Sequence, residues 1–166
     1  MLHPVPRRSA IERHPLLIVL VCGLTQAGCL PRACQPGDSP TLALGTGVED
    51  FVPLADPPTL DLVYGPQGGV HVDIALRATE LDSSALWTID LRGLVDGVVR
   101  GDARPQVEAR CTPDVDALDV TGLRLVWHDD VTPADLAGPV DVLVEVRDAA
   151  GREITASAQG VSIVFP

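Results

Sequence analysis

The side chains of this sequence that could do chemistry are acidic clusters, two histidine–aspartate pairs, a few serines and the cysteines. Asp114, Asp116 and Asp119 lie close together in "CTPDVDALD", and "WHDD" adds Asp129 and Asp130. Calcium takes several carboxylate and carbonyl oxygens, so acidic loops of this kind could hold one. The run has neither the central Gly nor the terminal Glu of an EF-hand loop, and solvated turn carboxylates account for it without a metal. His71 with Asp73, and His128 with Asp129, are the residue types of an acid–base pair, but each His alternates with apolar neighbours and reads as an outward-facing surface histidine. Ser83, Ser84, Ser157 and Ser162 are potential nucleophiles, and none sits in a G-x-S-x-G elbow. "GPQGG", Gly65–Gly69, lacks the Lys and Ser/Thr of a phosphate loop and reads as a tight turn between Tyr64 and Val70. There is no C-x-x-C spacing to suggest zinc. The expectation is therefore no catalytic residue, no metal ligand and no cofactor.

The elements that would position these groups follow from composition and pattern. With 46% hydrophobic but only 3% aromatic residues, a core has to be built from Val, Leu, Ile and Ala. Fifteen Gly and fifteen Pro spread between short apolar runs favour turns and short strands over long helices. The length of 166 residues suits one domain plus a tail or signal. All twelve basic residues are Arg against 23 acidic ones, a net charge of −11, which argues against binding nucleic acid through a basic surface. The absence of Asn removes any N-glycosylation acceptor.

Beyond about Pro40 a period of two takes over. "GVHVDIALRA" puts Val70, Val72, Ile74 and Leu76 on one face and His71, Asp73 and Arg77 on the other, the pattern of a half-buried antiparallel strand. Trp87, Ile89 and Leu91 repeat it, as do Leu123, Leu125 and Trp127, and then Val140, Val142, Val144 and Val146. Further strands are expected at Thr59–Tyr64, Gln106–Cys111, Ile154–Ala158 and Val161–Phe165, eight or nine in all. The nearest approach to a helix is "TPADLAG", where Thr132 could cap, Pro133 could open and Gly138 would stop one short turn.

The amino-terminal region is patterned differently. Arg7, Arg8 and Arg13 precede the nine-residue apolar run "LLIVLVCGL", Leu16–Leu24, which is shorter than the ~20 residues a membrane-spanning helix needs but suits the core of a signal peptide. It ends in "TQAGC", and "QAGC" resembles the lipobox of bacterial lipoproteins. Ala27 and Gly28 match the pattern, and Gln26 stands where it has an apolar residue. The resemblance implies cleavage between Gly28 and Cys29 and lipidation of Cys29, with residues 1–28 as signal peptide. It also implies a location at the outer membrane or cell surface, the outer membrane following from Leu30 not being Asp if the source is Gram-negative. The alternative is an ordinary secretory signal cut near Ala27, leaving Cys29 as a thiol. "CLPRACQPGDSP", from Cys29 onward, reads as a Pro-rich tether over 29–41.

Lipidation of Cys29 would leave Cys34 and Cys111 in the mature chain. They are expected to pair in an oxidising compartment; otherwise Cys111 is a small buried hydrophobe and Cys34 a free thiol of the tether.

A second resemblance lies in "VTPADLAGPVDVLVEVRDAAGREITASAQGVSIV", Val131–Val164, which looks like the closing strands of fibronectin-type and immunoglobulin-like domains, with Val140 in the place of their corner Tyr. The whole layout resembles surface lipoproteins of GC-rich bacteria. Together these imply an all-β, antiparallel immunoglobulin-like sandwich over 42–166 and a non-catalytic envelope lipoprotein. It would be held to the membrane through lipid on Cys29 and would present a surface to a protein or glycan ligand. The competing expectation is an accessory or catalytic subunit of an extracytoplasmic hydrolase, with calcium on the acidic loops.

Overall fold

The computed structural model describes residues 33–66 and 69–166, so Gly28 and Cys29 lie outside the described residues. Eleven strands follow in chain order: β1 (Thr41–Thr46), β2 (Val52–Pro53), β3 (Thr59–Tyr64), β4 (Val70–Thr79), β5 (Trp87–Val95), β6 (Val98–Ala103), β7 (Gln106–Val107), β8 (Arg110–Thr112), β9 (Ala117–Trp127), β10 (Val140–Arg147) and β11 (Glu153–Val164). A single 3-10 turn, Pro113–Val115, is the only helical element among the described residues. The domain is all-β, as its period-two runs require.

β4 is flanked on one edge by β3 and then β1, and on the other by β9. β10 lies between β5 and β11, and β6 extends β5. Two short junctions join these groups: β6 with β9 at Gly101–Trp127 and Asp102–Val126, and β11 with β3 at Ser162–Thr59 through Val164–Asp61. The circuit β4–β3–β11–β10–β5–β6–β9 thus closes on itself as a seven-stranded barrel. Six of its junctions are antiparallel. The seventh, β11 with β3, is parallel, which departs from the all-antiparallel sheet expected from alternation. β11 outruns its partner: Val140, the first residue of β10, pairs with Val161, and the three residues beyond are left to take up β3.

The interior is built as the alternation requires. Val140, Val142, Val144 and Val146 are buried on β10, Trp87, Ile89 and Leu91 on β5, and Val72, Ile74 and Leu76 on β4. Burying each such aliphatic side chain contributes about 1.5–3 kcal/mol. Two stretches differ from expectation. Gln106–Cys111 is two strands, because β7 pairs with β5 and the chain then crosses at Glu108 and Ala109 so that β8 pairs with β9. "TPADLAG" forms successive turns, with the amides of Asp135, Leu136 and Ala137 donating to the carbonyls of Thr132, Pro133 and Ala134. Thr132 does not cap; its amide and hydroxyl donate to the Asp135 carboxylate at 2.8 and 2.6 Å. The turns drive Leu136 fully into the core.

The segment read as a tether is fastened to the domain over its described part. Cys34 is disulfide-bonded to Cys111, with Cα atoms 5.8 Å apart, and its amide donates to Asp116 Oδ1 at 2.6 Å. The Gly37 amide donates to the Glu80 carbonyl at 3.0 Å, the Ser39 amide to Glu80 Oε2 at 2.8 Å, and Arg152 Nη1 to the Gly37 carbonyl at 2.6 Å. Backbone polar groups that a free tether would leave to water are satisfied here by the end of the barrel.

Candidate binding cleft

The residues singled out for chemistry are separated by the fold. Asp119 sits on the outer face of β9 directly opposite Arg77 of β4. Arg77 grips it through Nε and Nη2, both at 2.7 Å, and the Thr112 hydroxyl adds a third donor at 3.0 Å. The Arg77 hydrogen bond holds the Asp119 carboxyl below the usual carboxylate range against the opposing effect of burial. The Arg77 guanidinium in turn lies 4.5 Å from the centre of the Phe51 ring, a cation–π contact. Asp116, at φ 50°, turns its carboxylate to the Cys34 amide, and Asp114 is exposed in the 3-10 turn. Asp130 faces Arg100 at 3.4 Å. Among the described residues no group of three or more His, Cys, Asp or Glu is placed to hold a metal ion.

His128 lies 3.0 Å from Asp102 Oδ1, a cross-strand partner, and not beside Asp129 as the sequence pairing suggested. The serines make no hydrogen bond to either histidine among the described residues. His71 differs from its expected state: its strand parity does face outward, but the residue is only 9% exposed. The chain after β1 reaches β9 further along, with the Gly47 carbonyl accepting from the Gly122 amide at 3.0 Å.

Three strands bring His71 into a cleft. The Gly65 amide donates to the Gly69 carbonyl at 2.8 Å, which ties the end of β3 to the start of β4 and sets Val63 opposite His71. On the other edge of β4, His71 pairs with Val126 and Asp73 with Arg124 of β9. Directly paired residues share a face, so Val63, His71 and Val126 form one row and Asp73 with Arg124 the next. Gly122, at φ 67°, forms a bulge that bends β9 and lets Val48 approach from above. Together with Tyr64 and Val70 these residues line an open, mainly apolar cleft of about 530 Å³, within the range of small-ligand sites.

The polar groups of the cleft are few. His71 Nε2 lies 3.8 Å from Asp73 Oδ1, beyond hydrogen-bonding distance, and no hydrogen bond to the imidazole is made among the described residues. The Arg124 guanidinium likewise has no ion pair there. Tyr64, 55% exposed, and the exposed Val126 both line the cleft. The sequence signal for this site was the parity that put Arg124 and Val126 on the face opposite Leu123 and Leu125, leaving an apolar Val126 facing out. The neighbours that turn it into a cleft come from β3 and from the loop after β1. No protein-family profile and no curated protein sequence matches the chain.

Proposed function

We propose that this chain is a non-catalytic envelope lipoprotein: a rigid β-domain held to a membrane through lipid on Cys29, with residues 1–28 as its signal, that presents a binding surface away from the bilayer. The supporting observation is the opposition of two features along β4. His71 and Asp73 line the cleft near its start, whereas Glu80, just past its end, accepts from Gly37 and so fastens the segment that leads from Cys29. Nine residues of strand at about 3.3 Å each place roughly 30 Å between His71 and Glu80. A lipid on Cys29 would set the fastened end against the membrane and leave the cleft at the far end. Leu30 after the cysteine favours the outer membrane or cell surface. One acyl chain anchors only weakly, so stable attachment calls for the two or more chains that lipobox processing supplies.

The fold reading that accompanies this is an immunoglobulin-like sandwich. β3, β4 and β9 with β1 would form one layer and β11, β10, β5 and β6 the other, since only three residue pairs at β3–β11 and two at β6–β9 close the circuit. Rigid scaffolds of this kind commonly carry binding residues in loops and at strand ends. Mass spectrometry of the amino-terminal peptide of the protein purified from membranes tests the anchor. The expected result is an acylated Cys29 as first residue; an unmodified Cys29, or another amino terminus, overturns it.

A further inference from the structure

We propose that the Tyr64–His71–Arg124 cleft is a binding site for a neutral, hydroxyl-bearing ligand with a flat apolar face, of which a sugar ring is the chemical type. The inference rests on the reading of this chain as a binding module and does not depend on the lipid anchor.

Three features of the cleft carry it. His71 is nine-tenths buried, lines the cleft, and makes no hydrogen bond through its ring among the described residues, so its imidazole is open to a partner that reaches it from the cleft. An imidazole offers one donor and one acceptor, which a hydroxyl can satisfy from either side.

The charges beside it balance. Asp73 and Arg124 are directly paired across β4 and β9, and both line the cleft. An anion drawn to Arg124 would meet the Asp73 carboxylate, and a cation drawn to Asp73 would meet Arg124. A neutral group that donates to Asp73 and accepts from Arg124 satisfies both at once.

The remaining lining is apolar and half open. Tyr64 and Val126 both line the cleft and are 55% and 45% exposed, so aromatic and apolar surface is available for the C–H face of a ring. Aromatic side chains supply such contact area with little conformational entropy to lose.

The test uses the full chain in a detergent without a sugar headgroup, titrated calorimetrically with maltotriose, cellotriose and chitotriose as neutral probes and trigalacturonate as the anionic one. The expected result is saturable binding of at least one neutral trisaccharide in preference to trigalacturonate. Tyr64→Ala and His71→Ala should each weaken it about tenfold or more, Tyr64→Phe should retain it, and Arg92→Ala on β5 should leave it unchanged. Tyr64 is exposed enough for its variants to fold, which matching thermal melts would verify. Absence of binding to all three neutral probes, preference for trigalacturonate, or binding indifferent to Tyr64→Ala overturns the proposal. None of these outcomes changes the mass of the amino-terminal peptide, so failure of the cleft and failure of the anchor are read separately.

Discussion

The backbone of Gly93 lies directly under the indole of Trp127. A Cβ at Gly93 would fall 2.6 Å from Trp127 Cη2 and 2.7 Å from Cζ3, and one at Gly101 would fall 2.9 Å from Cε3. Two glycines on neighbouring strands, paired with each other in the β5–β6 ladder, thus make the slot in which one of the two core tryptophans is held. Trp127 is 2% exposed and Gly101 is its pairing partner, so the ring cannot give way without disturbing the β6–β9 junction that helps close the barrel. Gly93→Ala is expected to cost about 1–3 kcal/mol through overpacking, read as a lowered urea midpoint with an unchanged slope. A neutral Gly93→Ala would show that the slot can relax.

The bond between Cys34 and Cys111 closes a loop spanning a sequence separation of 77 residues. A cross-link of that span removes about 4.5 kcal/mol of chain entropy from the unfolded state, so the Cys34→Ser/Cys111→Ser variant should lose stability of that order. In the wild type, reduction should lower the thermal midpoint by the same route. A double variant that melts with the oxidised wild type would remove the disulfide from the account of stability. Limited proteolysis gives a second measurement: cleavage near Cys34 should accelerate in the variant, where only the contacts of Gly37, Ser39 and the Cys34 backbone retain the segment.

Much of the sheet was legible because period two is a local signal: β5 and β10 bury the residues their alternation selects, and β4 does so from Val72 onward, with Val70 half-buried at its start. What was not legible is where the alternation changes sides. β9 buries Leu118 and Val120 and then Leu123, Leu125 and Trp127, a switch made at Gly122. β11 makes the same switch at Gly160, where φ is 64° and the register with β10 shifts. An extra residue with positive φ re-aims every side chain beyond it, and a lone Gly in a run does not announce this. The parallel junction of β3 with β11 joins residues about a hundred positions apart and leaves no local trace. The cleft was hidden for the same reason: Val63, His71 and Val126 belong to three separate segments. His71 reads as a surface residue because its own strand says nothing of Val63 and Val126, which flank it on the adjoining strands. The acidic cluster is dispersed by the fold: Asp119 finds Arg77 across the ladder and Asp116 the Cys34 amide, while Asp114 stays exposed in the 3-10 turn.

Asp148 ties three parts of the chain together. Its carboxylate accepts from the Asp82 amide at 3.0 Å and from the Arg152 amide and Nε at 2.8 Å each, and Arg152 in turn donates to the carbonyls of Gly37 and Glu80. Burial alone would push this carboxyl up, but the two amides and the guanidinium outweigh it and hold the group below the ordinary Asp value of 3.8. A carboxyl depressed in the folded state stabilises it fully above its unfolded value, and that stabilisation is lost as pH falls through the folded value. Asp148→Asn is therefore expected to destabilise by about 2 kcal/mol at neutral pH, as for a lost charge-assisted hydrogen bond. The gap from wild type should stay constant down to about pH 5 and close progressively below about pH 4, where the wild-type carboxyl itself takes up a proton. Urea titrations of both proteins between pH 7 and pH 3 measure it. A gap that widens on acidification would mean that Asp148 is neutral in the folded protein and that the Arg152 contacts to Gly37 and Glu80 stand without its charge.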